Sequence, residues 1–116
     1  MSEYAEYLRE VFSPFGPITI RRMFGGFGVY HEGLMFGLVA DDRLYLKTDS
    51  ENLSFFEAEG LEPFEYNKKG KMVKMSYHRA PDEIMDDQEQ AVIWARRSYE
   101  AALRSRASKS KGKTNR

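Results

Sequence analysis

Cysteine is absent from this chain of 116 residues. That one absence excludes disulfides, thiolate zinc sites and cysteine nucleophiles, and it fits a reducing compartment. Long hydrophobic runs are also missing. No stretch reaches the ~18 apolar residues that a membrane-spanning helix needs. The N-terminus, Met-Ser-Glu-Tyr-Ala-Glu-Tyr, is acidic where a secretory leader requires a basic start and an apolar centre. The expected location is therefore the cytoplasm, with no membrane association. Histidine is scarce, with only His31 and His78. The length suits one domain able to bury a core without covalent staples.

Net charge is zero, from 18 basic and 18 acidic residues, but the charges are unevenly placed. Arg104, Arg106, Lys109, Lys111, Lys113 and Arg116 close the chain with no acid among them, leaving 12 basic against 18 acidic residues before Arg104. A body of −6 thus precedes a tail of +6, a split that marks an interaction tail.

The most informative stretch is Arg21 to Lys47. Three runs rich in aromatic and branched residues are cut by His31-Glu32-Gly33 and by Asp41-Asp42. Short apolar runs separated by such turn signals read as antiparallel strands joined by hairpins. The first run begins near Ile18, with Ile18, Ile20 and Arg22 on one face and Thr19, Arg21 and Met23 on the other. Gly25-Gly26 breaks that alternation and predicts a bulge, a sharp bend or a close backbone approach. Leu34 to Ala40 is the most apolar run and should be central, and Leu44 to Lys47 completes the meander.

Around the meander, Ser2 to Phe12 reads as a helix with Ser2 as N-cap and a stripe of Tyr4, Leu8, Val11 and Phe12. Thr48 to Glu51 offers caps for a second helix, with Leu53, Phe56 and Phe55 inward and Gly60 as terminator. Pro63 to Tyr66 and Met72 to Tyr77 read as a basic-tipped hairpin around Asn67 to Gly70. A last helix follows the acid-rich run Asp82 to Glu89. It carries Ala91, Trp94, Ala95, Ser98 and Ala102 as its buried stripe and fades near Leu103. The expected organisation is one α+β domain over residues 1–103 with five antiparallel strands, then a disordered basic tail over 104–116.

Chemical signatures are few. Gly26-Phe27-Gly28 matches an RNA-recognition strand at three positions and fails the rest, and the strand order differs from that fold. The same glycines lack the third glycine of a dinucleotide fingerprint, and no Gly-Lys-Ser/Thr follows. Neither histidine has a partner at metal-ligand spacing, so both read as solvated. Asp41-Asp42 reads as a turn former. Arg21 and Arg22 point to opposite faces of a strand, so one should approach the core and need a carboxylate partner. No catalytic residue, metal or cofactor is expected.

Together, Arg22-Met-Phe-Gly-Gly26, Tyr30, Gly33, Phe36-Gly37, Asp41 to Lys47, Pro63-Phe-Glu-Tyr66, Met75-Ser-Tyr77, Pro81 and Trp94-Ala95 resemble the TfoX/Sxy N-terminal domain over residues 4–102. The resemblance implies a two-layer α-β(3)-α-β(2)-α arrangement with an antiparallel sheet, similar to secretion chaperones. It also implies a non-catalytic regulatory binding module. Named members are coactivators of natural competence for DNA uptake, acting beside a cyclic-AMP-responsive transcription factor. They carry a second domain of helix-hairpin-helix type, where this chain has its basic tail. The implied partner is a protein of the transcription machinery, with a homodimer as a further arrangement. Arg21, Arg22, Gly25, Gly26 and Lys47 form the candidate interaction surface. The basic tail is the candidate phosphate contact, giving weak, nonspecific DNA binding. The alternative is a small-ligand-binding protein or enzyme, with an apolar pocket lined by Phe24, Phe27, Tyr30 and Phe36.

Overall fold

A computed structural model describes residues 2–23 and 25–114, and for 110–114 the backbone only. Helix α1 (Glu3–Val11) starts where expected. Ser2 is its N-cap, and the hydroxyl accepts a hydrogen bond from the Ala5 amide at 3.1 Å. The chain then runs through β1 (Thr19–Met23), β2 (Gly26–His31), β3 (Leu34–Ala40) and β4 (Arg43–Lys47) before helix α2 (Leu53–Ala58). Strands β5 (Pro63–Lys68) and β6 (Lys71–Arg79), a 3-10 turn (Asp82–Met85) and helix α3 (Gln88–Thr114) complete it.

All six strands form one antiparallel sheet in the order β1-β2-β3-β4-β6-β5. The architecture is therefore α+β, but the expected five strands are six, because the first run folds back on itself. Gly25 takes φ 78° and turns the chain, so that Met23 faces Gly26 across a hairpin. The glycine pair thus marks a reversal between two strands rather than an interruption within one. Gly26 is also held against the sheet, and a Cβ there would collide with the Val39 carbonyl oxygen. The remaining hairpins use left-handed residue pairs: Glu32-Gly33, Asp41-Asp42 and Lys69-Gly70 all have φ between 49° and 85°. Such pairs match the natural strand twist.

The helices share one face of the sheet. Phe36 of β3 contacts Phe12, which follows α1, at a ring separation of 5.6 Å and Tyr99 of α3 at 6.3 Å. Phe56 of α2 packs edge-on against Trp94 of α3 at 4.9 Å. Trp94, Phe12, Phe36, Phe56, Leu8 and Leu44 are the largest buried side chains, so the core lies between the helices and this face. Phe55, expected inward, is exposed instead, with the Arg97 guanidinium 3.6 Å from its ring centroid.

Of the tail expected to be disordered over 104–116, residues 104–114 are helical, and 115–116 lie outside the described residues. Helix α3 does not fade at Leu103 but runs on to Thr114. A specific anchor accompanies that continuation. The Arg104 guanidinium donates to Asp49 at 2.7 and 3.1 Å and lies 3.2 Å from Glu51. Buried Asn52 reinforces it by donating to the carbonyl oxygens of Lys47 at 3.1 Å and Arg97 at 3.2 Å. These contacts fix the helix at the point where it passes Leu103. Among the described residues no helix is long and apolar enough to cross a membrane.

Candidate functional site

The face of the sheet turned away from the helices holds the main cavity. Alternation sends Met23, Leu38 and Ala40 to that side. Phe64 and Tyr66 of β5 and Met75 of β6 meet them across a concavity of about 600 Å³. The lining comes from both ends of the strand order, so the sheet curls around the space. Lys68, at the end of β5, supplies a polar group to the wall, and Asn67 borders it from the hairpin turn, where its Oδ1 accepts from the Gly70 amide at 3.0 Å. An adjoining shallower depression is bounded by Gly25, Gly26, Asp41 and Asp42.

Around the cavity this face carries aromatic and basic groups. The Arg21 guanidinium sits 5.2 Å from the Tyr30 ring centroid, and the Lys47 ammonium 5.2 Å from that of Tyr77. The Tyr45 and Phe64 rings meet at 4.9 Å. Gly28 leaves a hollow that Met23, Tyr30 and Met35 fill. A Cβ at Gly28 would lie 2.9 Å from Met23 Sδ and 2.9 Å from Tyr30 Cε1. Burial pushes the Tyr77 hydroxyl up to about 12, helped by neighbouring Tyr30. Burial also lowers the Lys47 ammonium, the nearby Lys109 charge adds to that, and Asp49 opposes it.

The expected surface is thus partly assembled. Arg21 and Lys47 share the outward face. Arg22 falls on the opposite side of β1 by alternation, yet is exposed. The predicted ion pair of a core-side arginine is not formed. Among the described residues neither Arg21 nor Arg22 has a carboxylate within 4.0 Å. Gly25 is exposed at the hairpin and Gly26 is buried beside the cavity. Of the proposed tail contacts, Arg104 is committed to Asp49, whose carboxyl is held below its usual range by that hydrogen bond. Arg106 and Lys109 are exposed on α3. Lys111 and Lys113 are placed by backbone alone, and Arg116 lies outside the described residues.

The pocket imagined from the aromatics is also redistributed. Phe27 lines the cavity, Tyr30 lies under Arg21, and Phe36 belongs to the core on the other face. Phe24 lies outside the described residues. Sequence reasoning missed Leu38, Phe64, Tyr66 and Met75. For Leu38 the signal was the apolar run Leu34–Ala40, which indicates a strand covered on both faces; Phe64, Tyr66 and Met75, on β5 and β6, carried no such local signal.

Both histidines depart from the solvated reading. His31 is wedged against Phe15 and Tyr99, with ring centroids 4.6 and 5.0 Å away, and its Nδ1 donates to the Pro17 carbonyl at 2.8 Å. His78 sits in β6 with Nδ1 buried and no partner among the described residues, and burial lowers its pKa. Among the described residues no three His, Asp or Glu side chains gather as a metal site.

Comparison with known proteins places this geometry. The chain is similar to the DNA transformation protein TfoX1 of Aliivibrio fischeri (strain ATCC 700601 / ES114). The two are 36% identical over 77 residues, covering 66% of this chain and 37% of that protein. It is also similar to Protein Sxy of Escherichia coli (strain K12), at 24% identity over 101 residues, covering 87% of this chain and 48% of that protein. The chain therefore spans less than half the length of these curated relatives. Residues 10–102, from the end of α1 through the buried stripe of α3, match the sequence model of the TfoX N-terminal domain, and the chain belongs to that family.

Proposed function

We propose that the protein is a non-catalytic regulatory binding module acting in the control of DNA transformation, through a protein partner of the transcription machinery. The observation that carries this reading is the family match across the whole sheet, α2 and the first half of α3, together with a relative named for DNA transformation. The outward face supports it physically. Arginine and tyrosine are the residue types over-represented where proteins bind proteins, and here they lie beside apolar surface.

The test replaces the matching segment of the A. fischeri relative with this chain and measures transformation frequency in a strain lacking that relative. A folded, expressed chimera that restores transformation supports the reading. One that leaves transformation at the deletion background overturns it. Arg21→Glu and Lys47→Glu in the working chimera should lower transformation without lowering the amount of protein.

The basic end of the chain, from Arg106 onward, is the proposed contact to DNA phosphates. Arg104 is already neutralised by Asp49 and Glu51, which leaves five basic positions. The log–log salt slope of duplex binding should then be no steeper than about 4.5 in magnitude. Converting Arg106, Lys109, Lys111 and Lys113 to Gln keeps the Arg104 anchor and should abolish binding at low salt. Unchanged binding by that variant assigns the DNA contact elsewhere.

A further inference from the structure

Outward positions of a sheet with helices on one side only normally face water and are polar. Here Met23, Leu38, Ala40, Phe64 and Met75 are all apolar, and among the described residues no helix covers them. Leu38 is only 6% exposed, so the curled sheet itself does the covering. It closes incompletely and leaves the cavity of about 600 Å³. That volume lies within the ~300–1,000 Å³ of sites that take small molecules. Two methionines stand on its walls, and unbranched thioether side chains adapt to ligands of variable shape.

The polar groups are not scattered. Tyr66 and Lys68, two apart on β5, share its outward side by alternation and bring one hydroxyl and one ammonium to that side of the cavity, while Asn67 between them serves the hairpin, its Oδ1 accepting from the Gly70 amide at 3.0 Å. Asp41 and Asp42 border only the adjoining depression. An anionic group is therefore favoured beside Lys68 and disfavoured toward the β3–β4 turn. We propose that this cavity binds an amphiphilic carboxylate. Its hydrocarbon chain lies along Met23, Leu38 and Met75, and its carboxylate meets Lys68. Burying the chain gains about 25 cal/mol per Å² of apolar surface, and the single ammonium sets the polarity of the head group. The inference is independent of the regulatory reading. It concerns the occupancy of the cavity, whatever the protein regulates.

Decanoate, decylammonium and decanol serve as probes on the full chain with ¹³C-methyl methionine labelling. Decanoate is expected to shift the Met23 and Met75 methyl resonances and to saturate at one equivalent per chain, below its own aggregation concentration. Ala40→Phe, which fills the cavity, should weaken decanoate about tenfold or more. Lys68→Gln should weaken decanoate several-fold and leave decanol unchanged. Trp94 lies in the core on the opposite face, so its fluorescence reports folding apart from ligand. If Ala40→Phe fails that check, the three probes on the parent chain and on exposed Lys68→Gln decide. Absence of methyl shifts with decanoate overturns the proposal. So do shifts that persist undiminished in folded Ala40→Phe, or decylammonium binding as tightly as decanoate. A cavity that instead serves a protein partner would show the first of these outcomes.

Discussion

The two faces of the sheet are built from strands of similar composition, yet they have different fates. On one, Ile20, Val29, Leu44 and Leu46 are sealed beneath Phe12, Phe56 and Trp94. On the other, Met23, Leu38, Phe64 and Met75 border open space, ringed by Arg21, Tyr30, Lys47 and Tyr77. Apolar surface sealed by a helix holds the fold. Apolar surface sheltered only by the sheet's own curl remains available to something else. The family resemblance covers both faces, but only the second has chemistry to spare.

The largest expected effect tests the sealed face. Trp94→Ala should cost about 3–5 kcal/mol in chemical denaturation, the range for truncating a fully buried aromatic. Met75→Ala on the open face should cost no more than about 0.5 kcal/mol, as exposed positions do. Equal losses would erase the distinction between the faces.

Gly26 joins the faces, because its Cα side is pressed on the Val39 carbonyl. Gly26→Ala should cost about 1–3 kcal/mol through overpacking, since a backbone carbonyl cannot swing aside like a side chain. At Gly25, where φ is 78° and an added Cβ would meet nothing within 4 Å, the cost is conformational only. It should reach about 1–2 kcal/mol. A Gly26→Ala protein as stable as the parent would show that the contact with β3 is loose.

Tyr77 sharpens the comparison through pH. Its hydroxyl is raised to about 12 in the folded chain, so folding favours the neutral form. That stability is fully present below about 10, the unfolded value, and is lost as pH rises through about 12. Alkaline denaturation should show a loss on the order of 2 kcal/mol across that window. Tyr77→Phe should flatten the curve there and leave neutral pH nearly unchanged. A curve of the same shape in both proteins would show that Tyr77 ionises freely.

The smallest effect concerns the anchor of α3. Arg104→Ala removes a partly exposed pair and should cost about 0.2–1 kcal/mol. Asp49 is held low, so its contribution is present above about 4 and fades as pH falls through its folded value. Arg104→Ala should weaken that acid-side dependence, leaving the part due to the Glu51 and Asn52 amides, and reduce helical circular dichroism from residues 104–114. Undiminished helicity would mean that α3 needs no anchor beyond Leu103.

Periodicity and turn chemistry determined a large part of this protein unaided. Ser2 before an apolar stripe located α1, Asp41-Asp42 located the β3–β4 hairpin, and Trp94 among small residues located the core face of α3. Each is a local rule in which a cap, a turn or a stripe depends on residues within a few positions. Gly25-Gly26 was legible as a sharp bend or a close backbone approach, and Gly25 at φ 78° and Gly26 against the Val39 carbonyl realise both; that the bend is a full reversal between two strands was not legible, because a bulge and a hairpin use the same left-handed freedom.

Tertiary structure alone decided the rest. Residues 104–114 carry a composition that favours disorder, yet they continue α3, anchored by Arg104 on Asp49, 55 positions away in sequence. His31 reads as a solvated turn residue until Phe15 and Tyr99 close on it. The cavity needs Met23, Leu38, Phe64 and Met75 to converge from four strands. Strand alternation fixes which side each takes, but only the curl and order of the sheet set how close they come, and no local pattern encodes a distance between segments that meet only after folding.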